Sequence, residues 1–82
     1  MKEITENDIK NLLKKKNVLF GFRQAKKALK NNILENVIVS SDSIHEKEFE
    51  NKYKLIFKGD SKKMGIICGK PFSISVIAIL KE

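Results

Sequence analysis

The sequence predicts an α/β layer fold. Helix-period segments alternate with short β-branched blocks, the closing apolar segment is hydrophobic on both of its faces, and turns marked by glycine or asparagine separate the pieces. With 82 residues, the chain is expected to form one small domain over 1–82. At that size only about 60% of the unfolded surface is buried, which leaves no room for a second core or an elaborate cavity.

Each element has a local signature. Thr5 and Asp8 form a capping pair with Ile4 and Ile9 placed as a hydrophobic staple, which predicts a helix from about Glu6 to Lys15. Ile9, Leu12 and Leu13 give that helix a narrow core stripe. Lys14, Lys15 and Lys16 place positive charge at its C-terminus, where the helix dipole favours it. Val18-Leu19-Phe20 reads as the first strand, and Gly21 delivers the chain to a second helix, Phe22 to Lys30. Asn31-Asn32 is a suitable stop, because asparagine tolerates the left-handed conformation that ends helices.

Asn36 to Ser40, centred on Val37-Ile38-Val39, has the composition of a strand buried on both faces. Ser43 and Glu46 form a capping-box pattern that predicts a short third helix containing Ile44 and Phe49. Tyr53 to Lys58 reads as a third strand and Gly59-Asp60 as a turn. Asp60 or Ser61 caps a fourth short helix running to about Cys68, with Met64 and Ile67 facing inward. Gly69-Lys70-Pro71-Phe72 ends it, since Pro71 blocks continuation and restricts Lys70 to an extended conformation. The last strand is expected over Ser73 to Leu80. Ile74, Val76, Ala78 and Leu80 take one face of it and Ile77 and Ile79 the other, so helices should cover both sides.

Charge narrows the function classes. Seventeen basic against ten acidic residues give a net charge of +7, which points to a polyanionic partner. From Lys10 to Lys30 there are eight basic residues and no acidic one, whereas Glu35 to Glu50 holds five acids and one lysine. Solubilising charge alone would be more evenly spread; a polarised surface fits better. No apolar block approaches the roughly 18 to 20 residues needed to span a bilayer, and no signal peptide is visible, so no membrane partner is expected.

The single Cys68 cannot form an internal disulfide and reads as a small buried hydrophobe. His45 has no second histidine or cysteine to complete a ligand set, so neither residue suggests a metal, and no cofactor is expected. No nucleophile–base pair or nucleotide loop is present, so an enzyme is not predicted.

The second helix combines two roles. Ala25, Ala28 and Leu29 share one side, while Arg23, Lys26, Lys27 and Lys30 fall at i, i+3, i+4 and i+7 on another. One side packs and the other meets phosphate. Gly21 permits close backbone approach at a helix start where N–H groups are unsatisfied and the dipole is positive. Gln24 offers donor and acceptor to a base edge, and Arg23 and Lys27 supply the phosphate term that dominates affinity. Phe72 is either a core residue opening the strand or an apolar surface for an unstacked base. Gly69 is either a helix C-cap or a contact. Phe22 reads as packing.

The segment Gly21-Phe22-Arg23-Gln24-Ala25-Lys26-Lys27 resembles the glycine, aromatic, basic, glutamine, any, any, lysine signature of the L-thirty-e family of ribosomal proteins, within the L-seven-Ae superfamily of kink-turn RNA binders. Met64 to Ile79, with its Cys68-Gly69-Lys70-Pro71-Phe72 turn, is similar to that family's closing helix, turn and last strand. The resemblance is closest over residues 17–40 and 61–80. The stretch between Ser41 and Gly59 is shorter than the family's third helix and following loop.

This resemblance implies a three-layer α/β/α sandwich with a mixed four-stranded sheet. It also implies a noncatalytic RNA-binding component of the large ribosomal subunit, cytoplasmic and ribosome-associated. The partner would be ribosomal RNA containing a kink-turn with sheared G·A pairs, alongside neighbouring ribosomal proteins, and the free chain would be a monomer. By motif position, Gly21, Arg23, Gln24 and Lys27 would meet the G·A pairs and nearby phosphates, with Lys26 and Lys30 extending the basic side. Gly69, Lys70, Pro71 and Phe72 would cover a base flipped out of the loop. General kink-turn readers carry Asn-Glu where this chain has Arg23-Gln24, which favours one particular ribosomal site. Two alternatives remain at this stage: a kink-turn binder of a guide RNA particle, ribonuclease P or a regulatory messenger RNA, and a protein–protein adaptor using the acidic segment Asp42 to Glu50.

Overall fold

The computed structural model describes residues 2–43 and 46–81. Their elements run β1 (Lys2–Ile4), α1 (Glu6–Lys15), β2 (Val18–Phe20), α2 (Phe22–Lys30), β3 (Leu34–Ser40), β4 (Lys54–Phe57), α3 (Ser61–Ile67) and β5 (Val76–Leu80), with a single 3-10 turn at Glu46–Glu48. The helix ends follow the side-chain chemistry. Thr5 Oγ1 accepts from the Asp8 N–H at 3.3 Å and Asp8 Oδ2 accepts from the Thr5 N–H at 3.0 Å, a complete capping box. Asp60 caps α3 by accepting from the Lys63 N–H at 2.8 Å. At the end of α2, Asn32 takes φ +59°, and the Ile33 N–H reaches back to the Ala28 carbonyl at 3.0 Å.

The strands form one mixed sheet in the order β1-β4-β3-β5-β2. The β1–β4 and β4–β3 pairs are parallel, and β3–β5 and β5–β2 are antiparallel. Alternation along each strand divides the core into two layers. On one side, Ile38, Phe57, Ile77 and Ile79 pack with Ile9 of α1 and Met64 of α3. On the other, Val37, Val39, Val76 and Ala78 pack with Ala25 and Ala28 of α2 and with Phe49. Helices therefore cover both faces, as in the expected three-layer sandwich. Ile77 and Ile79 are almost wholly enclosed, each contributing about 1.5–3 kcal/mol of burial.

Four expectations need correction. The sheet has a fifth strand: Lys2–Ile4 pairs in parallel with Leu55–Phe57 at the edge beyond β4. Three residues with one inward apolar side chain carry no strand signature of their own, and the pairing is supplied entirely by the distant partner. Where a third helix is expected, the described residues show a 3-10 turn at Glu46–Glu48, whose three charged residues offer no apolar side along which further turns could pack, with the buried Phe49 following it; Ile44 lies outside the described residues, as does His45. The last strand begins at Val76, not Ser73. Because Ile74 precedes the regular alternation, it joins the Ile77 and Ile79 layer and not that of Val76 and Ala78.

Asp42 ties the end of β3 to the start of α3. Its carboxylate accepts from the Ser40 hydroxyl at 2.6 Å and the Ser61 N–H at 3.1 Å. The Ser40 hydrogen bond, reinforced by Ser61, holds the Asp42 carboxyl below its ordinary pKa of 3.8.

Candidate nucleic-acid interface

The β2–α2 turn and the loop from α3 into β5 are 48 residues apart in sequence, from Gly21 to Gly69. They meet because β2 and β5 run antiparallel, with Phe20 opposite Ile77. The end of β2 thereby lies against the beginning of β5. The Gly21 N–H donates to the Val76 carbonyl at 2.9 Å, and the Lys70 ammonium sits 4.9 Å from the Phe20 ring centroid. Hydrogen bond and cation–π contact join the two segments into one surface.

Gly21 takes φ +103° and ψ 155°, a backbone conformation open essentially to glycine alone. A Cβ there would meet nothing within 4 Å, so the residue faces open space and its carbonyl begins α2 by accepting from Ala25 at 3.1 Å. No side chain caps the start of α2. Arg23, Gln24, Lys27 and Lys30 are all exposed. Phe22 is half-buried, its ring meeting that of Phe49 edge-on at 6.0 Å and 77°, which fits the packing role.

Lys26 behaves differently from its neighbours. Its ammonium pairs with Glu48 at 3.4 Å and lies 5.6 Å from the Phe22 ring. Two residues of helix separate it from Gln24, about 160° around the axis. Lys26 and Gln24 therefore flank α2 on opposite sides, and Arg23, Lys27 and Lys30 lie between them. Lys30 is at the far end of α2, roughly 10 Å along the axis from Arg23.

In the second loop, Gly69 ends α3 at φ +70°. Its N–H donates to Ile66 at 3.0 Å and the Lys70 N–H donates to Gly65 at 2.9 Å, the two bonds of a Schellman cap. The C-cap role of Gly69 is thus realised. Pro71 and Phe72 are exposed, Phe72 by 59%, which removes it from the core. Cys68 packs half-buried beside the core; burial pushes its thiol pKa up, opposed by the charge of Lys70.

Three contributors gave no clear signal in the sequence. Gly65 lies within α3 where a Cβ would collide with the Phe72 carbonyl oxygen, so its missing side chain lets the loop close onto the helix. Ile66 is 75% exposed beside Phe72. Glu48 reaches Lys26 from a turn whose position depends on tertiary packing. Among the described residues no group of three histidine, cysteine or acidic side chains is arranged to hold a metal, and no helix is long and apolar enough to cross a membrane.

No family model matches the chain. Among curated proteins, it is 33% identical to the large ribosomal subunit protein eL30 of Sulfolobus acidocaldarius, over all of this chain and 86% of that protein. It is 36% identical to that of Saccharolobus solfataricus over 94% of this chain and 79% of that protein. For the Archaeoglobus fulgidus protein the identity is 34%, over 94% of each. Among solved structures, the Giardia lamblia 15.5kD RNA binding protein superposes with a TM-score of 0.71 at 20% identity, covering 94% of this chain and 71% of that one. That likeness bears on the fold. The near-full-length similarity to three archaeal proteins places the chain in the eL30 family of large ribosomal subunit proteins.

Proposed function

We propose that this chain is a noncatalytic ribosomal RNA-binding protein that recognises a kink-turn with sheared G·A pairs in the large subunit. The observation that carries the reading is the joining of the Gly21 turn and the Gly69–Phe72 loop into one surface through Lys70 and Phe20. A continuous duplex has little use for two protruding segments at one end of a sheet, whereas a sharply bent RNA presents a widened groove and an extruded base together.

In this reading the bare Gly21 backbone approaches the G·A pairs and Gln24 reads a base edge. Arg23 and Lys27 hold adjacent phosphates, Lys30 contributes more weakly from the far end of α2, and Lys70, Pro71 and Phe72 cover the extruded base. Lys26 contributes positive potential, moderated by Glu48. The free chain is a monomer. Its setting is the cytoplasmic ribosome, with neighbouring ribosomal proteins as additional partners.

Equilibrium binding to a kink-turn RNA and to a matched RNA with Watson–Crick pairs in place of the G·A pairs, at several salt concentrations, tests the reading. A preference that persists as salt rises is expected. Equal affinities that fall together with salt would reduce the surface to a nonspecific basic patch. Co-fractionation with large ribosomal subunits separates the ribosomal assignment from other ribonucleoprotein particles.

A further inference from the structure

The end of the sheet opposite the Gly21 turn carries a second basic group. There the Asn17 carbonyl accepts from the Leu80 N–H at 2.9 Å and the Ile33 carbonyl from the Lys81 N–H at 2.7 Å, so the end of β5 sits between the turn after α1 and the turn after α2. These segments bring Lys14, Lys15, Lys16, Lys30 and Lys81 to one end of the molecule. The acid among them, Glu35, is paired with Lys16 at 3.5 Å. Lys14, Lys15, Lys30 and Lys81 are exposed, and none has an acidic partner among the described residues. The C-termini of α1 and α2 together carry about one unit of negative charge. Set against five lysines and one glutamate, this leaves an excess of about three positive charges, so the helix dipoles alone do not account for the group.

We propose that this end binds the phosphate backbone of a second RNA helix, so that the protein holds two RNA segments at once, a kink-turn at the Gly21 end and a separate helix at the Lys81 end. The inference rests on the RNA-binding reading above and adds a second contact to it. Lysines interspersed with the exposed amides of Asn17, Asn31 and Asn32 are the side chains that hold nucleic-acid backbones. A protein partner fits less well. Lysine is depleted from protein–protein interfaces, whose centres are apolar, and the large exposed apolar side chain here is Ile33 alone among the described residues, at 42%. A kink-turn stem running along α2 would reach Lys30, but Lys14 and Lys15 belong to α1, which packs on the opposite face of the sheet. The occupant is therefore a separate helix. About 13 Å of strand lies between Asn17 and Gly21, more than the Debye length of about 8 Å at physiological salt, so the two ends bind independently.

The test saturates the protein with a kink-turn RNA whose stems are only a few base pairs long, then titrates in a fluorescent Watson–Crick RNA duplex at low salt. The parent complex should capture the duplex. A protein combining Lys14→Gln, Lys15→Gln and Lys81→Gln should capture it about tenfold more weakly, with a salt slope smaller by about three, while binding the short kink-turn within about twofold of the parent. Arginine at the same three positions should preserve capture. So should Lys47→Gln, Lys58→Gln and Lys63→Gln combined, an equal change in net charge placed elsewhere. Thermal melting first establishes that each variant is folded at the assay temperature.

No capture by the parent complex, or equal capture by the Lys14, Lys15 and Lys81 glutamine variant, would overturn the second site. Equal losses from the two glutamine variants would also overturn it, reducing the effect to net charge. If lengthening one kink-turn stem by a helical turn tightened binding to the parent while no separate duplex was captured, one RNA would occupy both ends and the two-segment inference would fail. If the parent shows no preference for the kink-turn over its Watson–Crick counterpart, the reading of the Gly21 end fails. If that preference is intact and no duplex is captured, this inference alone fails.

Discussion

Replacing Gly65 by alanine sets two terms of opposite sign against each other. Gly65 is inside α3, where alanine is favoured over glycine by about 0.5–1 kcal/mol on helix propensity. The added methyl, however, would overlap the Phe72 carbonyl oxygen, with the Phe72 carbonyl carbon at 3.1 Å and the Ser73 Cα at 3.4 Å. All three are backbone atoms, so no rotamer change clears them. Overpacking of this kind costs about 1–3 kcal/mol, and because all the overlapped atoms are backbone the upper part of that range applies, leaving a net loss of up to about 2.5 kcal/mol. Urea denaturation should show that net loss with an unchanged slope, and thermal melting a fall of about 4–8 °C per kcal/mol. With the folded fraction at 25 °C taken from the same urea titration, a weaker affinity of the folded variant for the kink-turn reports displacement of Phe72 and Lys70. A Gly65→Ala protein more stable than the parent, with unchanged affinity, would refute the argument that close approach at Gly65 positions the loop.

The other predictions separate the contributions within the interface. Gly21→Ala should cost about 1–3 kcal/mol by denaturant titration, and Gly21→Ser nearly the same, because φ +103° is strained for any side chain while the space beyond Cβ is open; a strong dependence on side-chain size would contradict this. Gln24→Ala should weaken cognate RNA by about 1–3 kcal/mol and relax G·A selectivity, whereas Lys27→Ala should weaken all RNAs and reduce the salt slope by about one. Lys26→Ala should do less than Lys27→Ala, because Lys26 already pairs with Glu48, and equal salt slopes for the two would disprove the distinction. For Asp42, a folded pKa below 3.8 means that its stabilising contribution is present above that pH and is lost as pH falls through the folded value. Asp42→Asn should therefore lower the urea midpoint at neutral pH and flatten its decline below about pH 4; parallel pH profiles would show that the Ser40 and Ser61 hydrogen bonds do not stabilise the fold.

Local chemistry made α1 and α2 legible. Thr5-Asp8, the Ala25 and Ala28 side of α2, and Asn31-Asn32 act within one or two helical turns, and each forms as its residue types imply. β1 was not legible, because Lys2-Glu3-Ile4 becomes a strand only through parallel pairing with residues more than fifty positions away. For a related reason, Ile74 lies on the face opposite the one its alternation implies. Alternation predicts a face only where the backbone is already extended, and that begins at Val76. The pairing of Lys26 with Glu48 was equally hidden, since helix periodicity groups the four basic residues of α2 and says nothing of the acidic turn that arrives beside one of them. Gly65 gave no signal because a close approach is a property of two backbones, and only one of them is local.

The interface is likewise written in the sequence as two separate motifs. Neither the Gly21 turn nor the Gly69–Phe72 loop carries a sequence signal pointing to the other. Their proximity is a consequence of sheet order, in which β5 lies between β3 and β2 and runs antiparallel to both. Were β2 parallel to β5, the end of β2 would lie at the opposite end of the sheet from the start of β5. Each segment would then retain its glycine and basic residues without a shared surface. The pairing of Phe20 with Ile77 therefore matters for binding as well as stability, because it sets the distance across which Lys70 reaches Phe20. Lys70→Met keeps most of the apolar length and removes the charge. If the cation–π contact helps to hold the two segments in register, that variant should lose more affinity for a bent RNA than for a single strand of equal length, and an equal loss on both would reduce Lys70 to a phosphate contact.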